Sequence, residues 1–201
     1  MESVGDPQTT IEKEIAAFDA DPETAFAEST IGELISTYRD NQDNRHVLVK
    51  VIAINALYHA RVLDIDLQPL AIHIAKIDKL DLRLKKGDPE VVDAIWNSEG
   101  TKRRYPSLAT KFCSWHNQEA YAIYDGNVWE ALVAYGAKGD RFVFPEREFV
   151  KYAMFLAIVK RFQNSYDLED RSLKEIDKFL WRVGGRLIAA KQAQSSDSSD
   201  V

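Results

Sequence analysis

The chain has one cysteine, Cys113, in 201 residues. A single thiol closes no internal disulfide, so a reducing compartment and a cytoplasmic location are expected. Without a four-cysteine cluster there is no basis for an iron-sulfur centre. The four histidines are scattered without ligand spacing, so neither a metal nor another cofactor is expected. His59 and His73 read as structural. No stretch nears eighteen uninterrupted apolar residues, and MESVGDPQTT has no cationic region followed by an apolar run. Membrane spanning and secretion are therefore not expected, and no internal repeat is visible.

What is present suits a packed core. Hydrophobic residues make up 45% of the chain, with four Trp, eight Tyr and nine Phe, an amount that favours burial over a solvated chain. The formal charge of −6 opposes binding to phosphates, but its distribution matters more. Residues 1–28 carry eight acids and one base, and 191–201 two acids and one base, leaving 22 acids against 24 bases between them. An acidic leader over a mildly basic core permits a DNA or RNA partner without requiring one, and a protein partner stays open.

Periodicity predicts an all-α fold of about eight helices with little or no sheet. Residues 1–8 and 191–201 read as disordered ends around one helical domain over 9–190, either one body or two lobes with a cleft near 105–130. Ile11, Ile15 and Phe18 fit one short helix, and Ile31, Leu34, Ile35 and Tyr38 a second capped by Ser29 and Thr30. His46–Val62 reads as a buried helix with Asn44 as N-cap. Asp66 caps the next, with Pro69 in its first turn, and Gly87, Asp88 and Pro89 mark a stop and a new start. Pro106 opens a helix ending at Asn117, and Asp125 caps its successor. Gly136–Pro145 has loop and short-strand character, and a long amphipathic helix follows from Phe149 through Phe162. Ser172 with Glu175 forms a capping box for a last helix that Gly184-Gly185 interrupts.

Chemistry-bearing residues concentrate in Tyr105–Leu132. Lys111 lies among Leu108, Phe112 and Trp115, where an apolar setting disfavours an ammonium and favours nucleophilic use; the bland alternative is a snorkelling surface lysine. Asp125 alone reads as a helix cap. A lysine and a carboxylate on successive helices can face one cleft, however, and amine attack on a sugar or carbonyl carbon needs such a neighbour.

The run Lys111-Phe112-x-x-x-His116-Asn117, followed by Tyr121-Ala-Ile-Tyr-Asp-Gly-Asn-Val128, resembles the helix-hairpin-helix DNA glycosylase superfamily, particularly its bacterial 8-oxoguanine glycosylase-like members. The similarity extends over roughly residues 44–190. It implies a compact glycosylase-like helical bundle that binds DNA and acts in base-excision repair. Lys111 would be the nucleophile that attacks the sugar carbon, and Asp125 the carboxylate that supports departure of the base. Asn127 takes the place of an asparagine found beside that aspartate in adenine-type members. Trp115, His116, Tyr121 and Tyr124 would line a pocket for an extruded base, or alternatively form the core of the helical joint. The superfamily's glycine-rich hairpin is replaced by EGTKRRYPS, so Lys102, Arg103 and Arg104 would hold phosphate by their side chains. A different class of function fits the same scaffold: a non-catalytic module that recognises a nucleic acid, a nucleotide or a protein.

Overall fold

The dipeptide Asp-Pro opens three of the ten helices in the computed structural model, which describes residues 4–139, 141–143 and 151–197. Asp6, Asp21 and Asp88 each accept a first-turn backbone N–H (from Gln8, Thr24 and Glu90), and the following proline needs no amide partner at N1. The helices are α1 (Pro7–Asp19), α2 (Pro22–Thr37), α3 (Asn44–Leu57), α4 (Asp64–Ala75), α5 (Leu80–Lys86), α6 (Pro89–Trp96), α7 (Pro106–His116), α8 (Gly126–Lys138), α9 (Tyr152–Ser165) and α10 (Leu173–Asp197). Among the described residues there is no strand.

The all-α class stands, while several boundaries differ. The first helix begins at Pro7, inside the expected leader, and α10 runs to Asp197, inside the expected tail. Ser29 and Thr30 lie within α2 because Asp21-Pro22 starts that helix earlier. Asp43, not Asn44, caps α3 by accepting from Arg45 N. That helix stops at Leu57 rather than Val62, and His59 and Arg61 take positive φ. Asn55 holds the turn by accepting from Val62 N at 2.8 Å and donating to its carbonyl at 3.2 Å. Asp66 sits inside α4, whose N-cap is Leu63. Gly136 to Lys138 are helical; of the remaining expected loop and the start of the next helix, residues 140 and 144–150, Phe149 included, lie outside the described residues.

Central to the packing is α7, which meets α2, α3, α5 and α6, while α10 lies along α8 and α1. Leu108, Ala109, Phe112 and Cys113 of α7 are fully buried among Val47, Val51, Ile54, Val91, Val92 and Ile95. The thiol of Cys113 is thus a small core group, pushed well above its ordinary pKa by burial.

The expected interruption of the last helix at Gly184-Gly185 does not occur, and the reason is packing. A Cβ on Gly184 would lie 1.8 Å from the carbonyl oxygen of Asn127, whereas one on Gly185 would meet only the Asn127 side-chain amide at 3.3 Å. The glycines let α10 touch the backbone of the first turn of α8 instead of breaking the helix. Gly184→Ala should therefore cost about 3 kcal/mol or more, the upper range for overpacking, and Gly185→Ala much less. Denaturant unfolding of the two variants checks this; equal losses would remove the close-contact explanation.

Candidate amine–carboxylate site

Lys111 and Trp115, four residues apart, share one face of α7, and that face turns toward the end of α3 and the start of α8. The Lys111 ammonium donates to the Tyr58 carbonyl at 3.1 Å and lies 3.4 Å from Asp125 Oδ2. Asp125 divides its two oxygens. Its Oδ1 accepts from Val128 N at 3.0 Å as the cap of α8, which leaves Oδ2 for the lysine. The two residues therefore converge as the sequence suggests, but in a closed site, with side chains only 4% and 12% exposed.

Four further residues complete the cluster, and sequence reasoning missed them. Glu28 of α2 accepts from Lys174 Nζ at 2.7 Å and from the Tyr58 hydroxyl. Lys174 and Asp177, on α10, are 4.0 Å apart. The Tyr58 ring packs edge-on against Trp115, and the Lys174 ammonium lies 5.3 Å from the Trp115 ring centroid. Two buried atoms here find no hydrogen-bond partner among the described residues: Trp115 Nε1 and Asp177 Oδ1. Burial, followed by the Glu28 carboxylate, pushes the Tyr58 hydroxyl up. Burial also raises Asp177 to about 7; Lys174 and Lys111 oppose the shift, and Asp125 and Glu28 reinforce it. A signal for Asp177 did exist in the sequence. It lies four residues after Leu173 and three before Leu180, a carboxylate on the apolar stripe of a helix.

The expected base pocket is only partly assembled. Trp115 belongs to the cluster, and Asn127, two residues beyond Asp125, packs on the α10 glycines. His116 points elsewhere, because it lies five positions from Lys111 on the helix. Its Nδ1 lies 2.7 Å from the Phe112 carbonyl and its Nε2 3.5 Å from Lys50 Nζ. Lys50 is itself buried, donating to the Tyr38 carbonyl at 2.9 Å and to Asn41. Burial lowers Lys50 to about 8 and His116 to about 4. Tyr121 is buried against Tyr152 and donates to the Asp88 carbonyl at 3.0 Å, and Tyr124 packs on Trp129 and Phe155. Tyr121 and Tyr124 thus pack with the hydrophobic core, while His116 belongs to the Lys50 cluster.

Lys102, Arg103 and Arg104 are exposed in the turn that leads into α7. Their turn has an internal anion of its own. Asp66 accepts Lys102 N on both oxygens at 2.9 Å and also takes the Tyr105 hydroxyl, while the Tyr105 oxygen accepts Leu63 N at 3.3 Å. Burial alone would raise the Asp66 carboxyl, but the Tyr105 and Lys102 bonds outweigh it and hold it low. The Lys102 amide is thus occupied by a carboxylate of the fold, and a phosphate at this turn would meet the three cationic side chains. Among the described residues no group of His, Cys, Asp and Glu is arranged to hold a metal ion, and no helix is long and apolar enough to cross a membrane.

Fold and site together define an all-helical protein with a buried lysine–carboxylate cluster. The chain belongs to the HI_0787_N family, described as an N-terminal domain, with residues 10–120 matched. That segment includes Lys111 and Trp115 and ends before Asp125 and Asp177. A protein of Haemophilus influenzae (strain ATCC 51907 / DSM 11121 / KW20 / Rd) with the name "Uncharacterized protein" is 37% identical over 118 residues, 57% of this chain. The chain spans 55% of that relative's length. No solved structure matches it.

Asp177 and His116 should tilt the pH dependence of stability in opposite directions. The raised carboxyl of Asp177 binds its proton more tightly in the folded state, so its contribution is full below the ordinary carboxylate pKa and is lost as pH rises through about 7. The lowered imidazole of His116 binds its proton less tightly when folded, so its contribution is full above about 6.5 and is lost as pH falls through about 4. Relative to wild type, Asp177→Asn should gain stability as pH rises from about 4.5 to 6.5, and His116→Gln as pH falls over that window, each by up to about 1.4 kcal/mol per pH unit. Urea midpoints at three pH values check this; parallel curves for all three proteins would show that neither shift exists.

Proposed function

We propose that this chain is a glycosylase-like DNA-binding protein acting as a base-excision DNA glycosylase or abasic-site lyase, with Lys111 as amine nucleophile and Asp125 as supporting carboxylate. The observation that carries the reading is the 3.4 Å approach of Lys111 Nζ to Asp125 Oδ2. An amine in a buried setting, beside a carboxylate whose charge is anchored by a helix cap, can add to an electrophilic sugar carbon and have the positive charge that develops there offset. Phosphate contacts would come from Lys102, Arg103 and Arg104, exposed just before the helix that carries Lys111. An intracellular, reducing location goes with this role.

Because the Lys111 side chain is 4% exposed, a sugar reaches it only if the covering groups, Tyr58 and Trp115 among them, move aside. That closure favours a second reading, in which Lys111 and Asp125 are a charge clasp within a helical module that binds a nucleic acid, a nucleotide or a protein without chemistry. Borohydride trapping on duplex DNA carrying an abasic site separates the two. The glycosylase reading expects a covalent protein–DNA adduct that Lys111→Gln eliminates, while a wild-type protein that forms none loses the lyase claim. Base release from lesion-bearing duplexes is assayed alongside, since release without an adduct would place the chemistry on water instead of Lys111. Salt-dependent DNA binding with neither activity would establish the binding module.

A further inference from the structure

A second turn lies against the basic one that leads into α7. Between α3 and α4 the chain reverses through His59-Ala60-Arg61-Val62, where His59 and Arg61 take φ of 48° and 58°. Left-handed backbone at residues other than glycine is strained, and it persists only where the surrounding structure fixes it. Here Asn55 pins Val62 through both of its backbone groups. Ala60 and Val62 are buried, so Arg61 between them is presented to solvent. The two turns are tied to each other through a buried chain of hydrogen bonds. Leu63 N donates to the Tyr105 oxygen at 3.3 Å, the Tyr105 hydroxyl donates to Asp66, and Asp66 accepts Lys102 N at 2.9 Å.

We propose that Arg61 and the Lys102–Arg104 turn form one surface that holds the phosphate backbone of a DNA duplex, with Arg61 supplying a contact from a second chain segment. The inference rests on the DNA-binding reading above and deepens it. Arg61, Lys102, Arg103 and Arg104 are all exposed, and none has an ion pair or a side-chain hydrogen bond among the described residues. By contrast, Arg83, Arg171, Arg182 and Arg186 are each engaged by a carboxylate. The exposed acids of residues 59–66 and 99–105 are Asp64 and Glu99, so the four cations outnumber them in a chain whose formal charge is −6. A local surplus that opposes the overall sign directs a polyanion to one face. Asp66, the remaining carboxylate, is buried and commits its oxygens to Lys102 N and Tyr105, so it braces the two turns from beneath.

Phosphate oxygens accept the paired N–H groups of a guanidinium in a planar fork, which suits the three arginines of this surface. Its position also relates it to the buried amine. His59 directly follows Tyr58, whose carbonyl accepts Lys111 Nζ at 3.1 Å, and α7, which carries Lys111, begins two residues after Arg104. A duplex seated on the two turns therefore lies at the ends of the elements that hold Lys111. Because Asn55 and the Tyr105–Asp66 bonds fix both turns in the free protein, little of their main chain has to be ordered on binding.

Fluorescence anisotropy of a short labelled DNA duplex, titrated with the whole chain over a series of salt concentrations, tests the surface. Arg61→Gln should bind roughly 8-fold more weakly at about 0.1 M salt and flatten the slope of log affinity against log salt by about 0.9, the counterion release of one phosphate. Arg103→Gln should do the same, and Arg61→Lys should keep most of the slope. Lys13→Gln, the same change of charge on α1, should bind as wild type does. Wild-type binding by Arg61→Gln beside a weakened Arg103→Gln would overturn the contact from the second segment while leaving the basic turn in place. A loss that Arg61→Lys shares in full would trace the effect to the strained turn and likewise overturn the phosphate contact. Equal weakening by Lys13→Gln would overturn the surface, since net charge would then account for every loss. Absence of salt-dependent binding by the wild-type protein would overturn this inference and the DNA-binding reading together.

Discussion

The contact between α10 and the first turn of α8 sets the positions of Asp125, Lys174 and Asp177 relative to one another. Gly184 lies where any side chain would strike the Asn127 carbonyl, so the two helix backbones touch there. Asn127 is two residues beyond Asp125, and the cap geometry at Asp125 leaves only one oxygen directed at Lys111. The same helix that supplies the glycine supplies Lys174 about three turns and Asp177 about two turns earlier. A shift of α10 would thus move both ends of the charge cluster together. Its position is in turn held by α1: Glu14 receives Arg182 at 3.2 Å and Arg186 at 2.5 Å, and Lys178 reaches Asp19 at 2.6 Å. The buried Glu14 carboxyl would be raised by burial, yet the two guanidinium groups hold it low.

Ionised groups taken from water cost several kcal/mol each before pairing returns anything. A cluster of three carboxyl groups, two ammonium groups and a tyrosine hydroxyl is therefore a poor way to stabilise a helical joint compared with leucines. Lys50, buried with Asn41 and His116 on the other side of α7, shows how the fold treats a charge with no chemistry to perform. Its ammonium is given a carbonyl and an amide oxygen, and Asp81 supports Asn41 at 2.5 Å. No comparable completion occurs at Asp177 or Trp115, whose orphaned oxygen and indole N–H lie in the cluster beside Lys111. Of the three buried side-chain polar atoms left without a partner among the described residues, two lie in this cluster and the third, His46 Nδ1, lies one turn before Lys50.

Local signals were readable at several helix ends, where a short-range rule decides the outcome. Asp88-Pro89, Gly87, Asp125 and the Ser172/Glu175 box mark helix ends because capping depends on residues a turn apart. The short joint between Lys111 and Asp125 allowed the two to face one cleft without requiring it, and their approach became visible only in the packed structure. Some caps failed although their rule is equally local, since Ser29 and Thr30 lie inside α2, Asp43 caps α3 in place of Asn44, and Asp66 lies inside α4; the other failures were long-range. Gly184-Gly185 resembles a break until Asn127 is known to lie against it. His116 resembles a pocket residue until the helix phase turns it away from Lys111. Asp177 and Glu28, 149 positions apart in the chain, become neighbours only through packing, and no local pattern announces a meeting of that kind.

The family segment, residues 10–120, supplies Lys111, Trp115, Tyr58 and Glu28, while Asp125, Lys174 and Asp177 come from beyond it. Each part alone would lack the partners of its charged groups, since Lys111 pairs with Asp125 and Glu28 with Lys174. The first would bury an ammonium with only a carbonyl and a partly exposed glutamate, and the second would leave its carboxylates without Lys111. Folding of the two parts is therefore coupled through the cluster, since breaking a buried pair costs more than never burying it. A relative sharing only the matched segment would have to supply its own carboxylate to Lys111 to keep the same chemistry. The position of that carboxylate, more than similarity across residues 10–120, is what would carry the proposed activity from one member of the family to another.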